Sequence, residues 1–156
     1  MMCRFELPAF TRLGGKRFDR SDQSLYIERY GAMGSMPRVI HFEIPAEDPE
    51  RAVEFYKKVF GWKIDKWEGP IDYWLVMTGE NDEPGINGAI HDNKNFKSVV
   101  NTVAVDSIDE QLEKVRQAGG KVLIPKGSVK GLGYVAFAED TEGNAFGMLQ
   151  RDPTVE

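Results

Sequence analysis

The chain has 156 residues with 41% hydrophobic and 11% aromatic content, enough for the core of one domain or two small duplicated modules and too apolar for a disordered chain. Its 20 basic and 25 acidic residues give a net charge of -5, the wrong sign for a nucleic-acid or anionic-lipid surface, so the expected partners are small molecules, cations or proteins. No apolar run approaches the roughly 18 residues of a membrane span, no secretory signal opens the chain, and a single cysteine, Cys3, forms no internal disulfide, so the expected compartment is the cytoplasm.

The charge is unevenly spread. Residues 1–35 hold six basic and four acidic groups, a net of +2, which leaves -5 - 2 = -7 for residues 36–156. The first stretch has no sustained apolar period and reads as an N-terminal extension, either flexible or dispensable. The domain is expected over 36–156, with modules at about 38–92 and 98–151.

Residues 38–44 alternate as a strand and run into a helix capped by Asp48, with Pro49 at its first position. Ala52, Phe55, Tyr56, Val59 and Phe60 recur at helical spacing and predict one stripe facing a sheet; Gly61 ends the helix. Residues 62–67, 73–77 and 86–91 read as strands, with a polar turn over 80–85. The order then repeats. A strand over 99–105 leads to a helix capped by Ser107 with the stripe Ile108, Leu112, Val115 and Ala118. Strands follow over 121–124, 133–138 and 145–150. Asp48 and Ser107 differ by 59, as do Ile86 and Ala145. The chain is therefore read as two βαβββ modules of an α+β fold.

The strand with a central histidine, the segment AEDPERAVEFYKKVFGWKI (46–64), VDSIDEQLEKVRQAGGKV (105–122) and the closing EDTEGNAFGMLQ (139–150) resemble the vicinal oxygen chelate superfamily. That superfamily includes glyoxalase I, ring-cleaving dioxygenases and bleomycin-resistance proteins. The resemblance covers residues 38 to about 150. It implies a curled mixed sheet around a cleft and a homodimer in which modules pair across chains. It also implies four metal-ligand positions, which fall on His41, Gly88, Val100 and Gly147. Only His41 carries a donor, whereas a catalytic divalent ion usually takes about three protein ligands. No metal site and no cofactor are therefore expected.

The alternative is an irregular metal site. Glu43 shares the strand face of His41, but His91 lies three residues from Gly88, so a His41/Glu43/His91 triad requires a bulge in the last strand of the first module. His41 and Glu43 are the candidate catalytic pair, His41 as a near-neutral imidazole able to act as a base or orient a ligand. Tyr73, Met77 and Tyr134 are candidate ligand contacts, and Gly88 and Gly147 are read as leaving open volume in the cleft. Three functions remain at this point: a metal-independent small-molecule binder, a metal-dependent lyase or dioxygenase, and a resistance protein that sequesters a cationic antibiotic. Whether any reaction is catalysed stays open.

Overall fold

The computed structural model describes residues 36–80 and 82–156, so the readings made for residues 1–35 lie outside the described residues. In chain order the elements are β1 (Val39–Ala46), α1 (Pro49–Phe60), β2 (Lys63–Lys66), β3 (Tyr73–Met77), β4 (Gly88–Asp92), β5 (Val100–Ala104), α2 (Ile108–Gln117), β6 (Lys121–Val129), β7 (Gly133–Glu139) and β8 (Ala145–Arg151). This is the βαβββ order, twice.

Both helices start where the caps predict. The Asp48 carboxylate accepts from the Arg51 N–H at 3.0 Å, and the Ser107 hydroxyl accepts from the Glu110 N–H at 3.3 Å. Gly61, at φ 70°, takes the left-handed conformation that ends α1. The first N–H of α2, on Ile108, donates to the Gln150 side chain at 3.0 Å, which ties the helix to β8.

The strands form one eight-stranded mixed sheet, in the order β2-β3-β4-β1-β5-β8-β7-β6. Each module contributes four strands, its first strand parallel to its last, and the halves join where β1 runs antiparallel to β5. The two modules are thus joined edge to edge within the chain. Edges β2 and β6 leave the sheet open.

Strand alternation sorts the side chains into two faces. Phe42, Ile44, Ile64, Trp74, Val76 and Ile90 pack with Val53 and Tyr56 of α1. Ala136, Ala138, Met148 and Phe146 pack with Ile108, Leu112 and Val115 of α2. Phe42, Asn101 and Phe146 are successive partners across β1, β5 and β8, so both helices cover the same face. Among the described residues, the other face carries no helix.

The α1 stripe differs from expectation. Val53 is its buried residue, with Ala52 and Tyr56 against the core, while Phe55, Val59 and Phe60 are exposed. Trp62 folds back beneath the helix and stacks on Tyr56, with ring centroids 5.2 Å apart, so it occupies sheet-side space that the helix end would otherwise fill. Gly131-Leu132-Gly133 is a tight turn between β6 and β7, with the Leu132 N–H donating to Val129. Among the described residues, no helix is long and apolar enough to cross a membrane.

Candidate functional site

The helix-free face of the first module gathers four polar residues. His41 and Glu43 alternate inward along β1, Tyr73 opens β3, and His91 of β4 is the direct cross-strand partner of Tyr73. The Tyr73 hydroxyl donates to Glu43 Oε1 at 3.0 Å and lies 3.0 Å from His41 Nε2. Its one proton is directed at Glu43, so His41 must donate through Nε2 to the phenol oxygen. The three side chains form a chain from imidazole to phenol to carboxylate.

Burial sets the proton affinities. It pushes the His41 imidazole below its usual value and so favours the neutral ring. It pushes the Glu43 carboxyl up, against the opposing effects of the Tyr73 hydrogen bond and a charge on His91. The Tyr73 phenol is raised well above its ordinary range by burial and by the Glu43 charge, so it remains a donor at any ordinary pH. His91 Nδ1 contacts the Asp92 carbonyl, and His91 Nε2 is buried with no partner among the described residues. An orphaned buried polar atom of this kind costs about 1–3 kcal/mol.

His91 reaches this face without a bulge. Glu43 pairs with Ala89 on β4, and Thr102 pairs with Gly147 on β8. Glu43 and Thr102 are 59 apart, but their partners are 58 apart, so the last strands are offset by one residue from the period of the caps. The structural counterpart of Gly147 is therefore Ala89 and not Gly88. His91, two residues beyond Ala89, shares its face. The equal spacing from Gly85 to Ala89 and from Gly143 to Gly147 was the signal available in the chain.

The glycines do not leave open volume. A Cβ at Gly88 would strike the Phe42 ring on the helix side, and a Cβ at Gly147 would stand 2.6 Å from Thr102 Oγ1 and 3.1 Å from the Phe137 ring. Each neighbouring side chain has moved into the space the glycine vacates. The helix-free face of the second module is filled by buried Val100 and Thr102 and by Phe96 packed on Phe137, with ring centroids 5.0 Å apart. Tyr134 is not in this group: it packs on the α2 side, with Lys126 Nζ 4.5 Å from its ring centroid. Alternation with buried Ala136 and Ala138 fixes that orientation.

Leu75 and Met77 follow Tyr73 on the helix-free face and are 45% and 41% exposed, an uncovered apolar wall beside the polar cluster. Trp67 meets Tyr73 edge-on, with ring centroids 6.2 Å apart.

The residues do not fit the metal set of the resemblance. His41 offers a nitrogen, but Ala89, Val100 and Gly147 offer no donor. No three His, Cys, Asp or Glu side chains among the described residues are grouped to hold a metal ion. The polar residues of this face lie instead on β1, β3 and β4.

The family model described as Glyoxalase/Bleomycin resistance protein/Dioxygenase superfamily matches residues 38–148. A lactoylglutathione lyase of Shigella flexneri is 32% identical over 124 residues, which cover 72% of this chain and 92% of that protein. Lactoylglutathione lyase GLX1 of Arabidopsis thaliana is 31% identical over 131 residues, 76% of this chain, but the match spans only 46% of the plant protein. Among solved structures, a Streptomyces coelicolor methylmalonyl-CoA epimerase in complex with 2-nitronate-propionyl-CoA aligns with a TM-score of 0.55 at 18% identity, over 74% of this chain and 97% of that one. The duplicated βαβββ topology and the match across both modules lead to one conclusion: the chain belongs to the glyoxalase/bleomycin resistance protein/dioxygenase superfamily.

Proposed function

We propose that the chain binds a small organic molecule on the helix-free face of its first module, with His41, Glu43, Tyr73 and His91 at the polar end and Leu75, Met77 and Trp67 along the apolar wall. The observation that carries this reading is the Tyr73 hydroxyl held 3.0 Å from both His41 Nε2 and Glu43 Oε1 beside exposed apolar side chains. Preformed polar groups at the edge of an apolar surface are the usual composition of a ligand site. The relatives named as lactoylglutathione lyases and the epimerase solved with a CoA ester support a small organic ligand. Binding on this face proceeds without a metal at the four family positions, because three of those positions have no donor.

A second reading has one observation in its favour. His91 shares the face of His41 and Glu43, so an irregular site of two histidines and one carboxylate is closer to hand than strand parity first indicated. One experiment separates the two. Protein stripped with a chelator is titrated with a metabolite-sized fragment library by ligand-observed NMR, before and after addition of zinc, nickel or manganese. The proposed reading expects the same fragments to bind in both states and to lose affinity in Tyr73→Phe. Binding that appears only with metal overturns it in favour of the second reading; no binding in either state overturns both. A cytoplasmic homodimer is the setting we propose for this site.

A further inference from the structure

We propose that the outward flank of α1 is the surface through which two copies of the chain associate, with the two helices antiparallel about a twofold axis and Phe55 of each copy seated in a groove of the other. The inference deepens the homodimer proposed above and rests on it.

Helical spacing places Arg51, Phe55, Lys58 and Val59 on one face of α1, turned away from buried Val53. Phe55, Val59 and Phe60 are 56%, 51% and 59% exposed. Large apolar side chains scattered singly over a surface are ordinary, but three on one short helix mark a surface made to be covered. Beside them, between the end of β1 and α1, a groove of about 430 Å³ is lined by Ile44, Pro45, Ala46, Ala52, Phe55 and Tyr56. The Phe55 ring stands edge-on to Tyr56, with centroids 5.3 Å apart, and Tyr56 is stacked on Trp62. The protruding ring and the floor of the groove are thus both held before association, which lowers its entropic cost. A knob and a hole on one patch suit an isologous contact, in which each copy gives what it receives.

Charge selects the occupant. Residues 47–54 carry Glu47, Asp48, Glu50 and Glu54 against Arg51, a net of -3, while residues 55–63 carry Lys57, Lys58 and Lys63 and no acid, a net of +3. Antiparallel helices lay the acidic half of each copy along the basic half of the other, with Lys58 near Glu54 of the second copy. The segregation also suits the helix dipole, but the dipole gives no reason for the apolar stripe between the halves. A uniformly acidic or basic peptide would meet one half with its own sign. A small apolar molecule in the groove would leave Val59 and Phe60 in water.

Sedimentation velocity of the full chain, from micromolar to millimolar concentration, tests the surface. A monomer–dimer equilibrium is expected, and Phe55→Lys should weaken it about thirtyfold, the effect of losing one central interface anchor. Lys58→Glu should weaken it as well, and the double variant Glu54→Lys/Lys58→Glu, which exchanges the two charges, should recover it. All three side chains are exposed, so urea midpoints measured where the chain is dilute and monomeric should not move. The occupant is identified by replacing Phe55 with photoreactive p-benzoylphenylalanine, with cross-links expected to α1 or the end of β1 of a second copy. Cross-links confined to residues 1–35 of the same chain, or to a retained small molecule, overturn the second copy as occupant. Dimers untouched by Phe55→Lys and Lys58→Glu overturn the surface and leave the homodimer standing. A chain that is monomeric at every concentration overturns both.

Discussion

Glu43 on β1 pairs directly with Ala89 on β4, and this single register determines that His91 stands on the same face as His41 and Tyr73. Shifting the pairing by one residue would turn His91 into the α1 core and bring Ile90 onto the open face. The polar cluster therefore depends on the packing of β4. Ile90, fully buried among Val53, Trp74 and Val76, anchors that register. Ile90→Ala is expected to cost about 2–5 kcal/mol in urea unfolding. In the same measurement Phe55→Lys, at a site 56% exposed, is expected to change stability by less than about 0.5 kcal/mol.

Tyr73→Phe removes the hydroxyl that both His41 and Glu43 use. Loss of stability of about 1–3 kcal/mol is expected, because two half-buried partners are left unpaired. Ligand affinity should fall with it, and both quantities can be read from denaturant titrations with and without a bound fragment. An unchanged stability would show that the two partners find water at no cost.

The two titrating ends of the cluster act on opposite limbs of the pH–stability curve. The Glu43 carboxyl is raised by burial, so its contribution is fully present below the ordinary value of 4.5 and is lost as pH rises through the raised folded value. Glu43→Gln is therefore expected to be more stable than the parent at pH 7, with the difference closing toward pH 4. The His41 imidazole is lowered by burial, so its contribution holds above 6.5 and is lost as pH falls through the lowered folded value. His41→Asn should flatten that acid limb. Urea midpoints at half-unit pH steps check both signs.

Restoring a carboxylate at the last-strand position of the second module should not create a metal site. Gly147→Glu forces a Cβ against Thr102 Oγ1 and the Phe137 ring and is expected to destabilise by about 1–3 kcal/mol. Zinc should not recover the loss, since Val100 and Ala89 still supply no ligand. A rise in thermal midpoint with zinc in this variant would refute that expectation.

The duplicated modules, both helix caps and the inward face of β1 were legible because each rests on local chemistry: a capping oxygen, a helix-ending glycine, a period of two. The shared face of His41 and Glu43, and that of Tyr73 and Met77, could be read for that reason. His91 was assigned to the opposite face because its face depends on register between strands, and the last strands keep a 58-residue offset while the caps keep 59. Tyr134 was misplaced by attention to the neighbouring glycines, where the alternation with Ala136 and Ala138 carried the orientation. The filled space at Gly88 and Gly147 is a matter of what neighbours do with an absent side chain, and no local pattern encodes that.

The contact of Thr102 and Phe137 across Gly147 also couples change at the three positions. Any side chain added at position 147 meets Thr102 Oγ1 and the Phe137 ring, so a ligating residue there is best accommodated together with a smaller residue at one of those two positions. Variants recovered under selection for a ligating side chain at position 147 should therefore carry a change at Thr102 or Phe137 beside it.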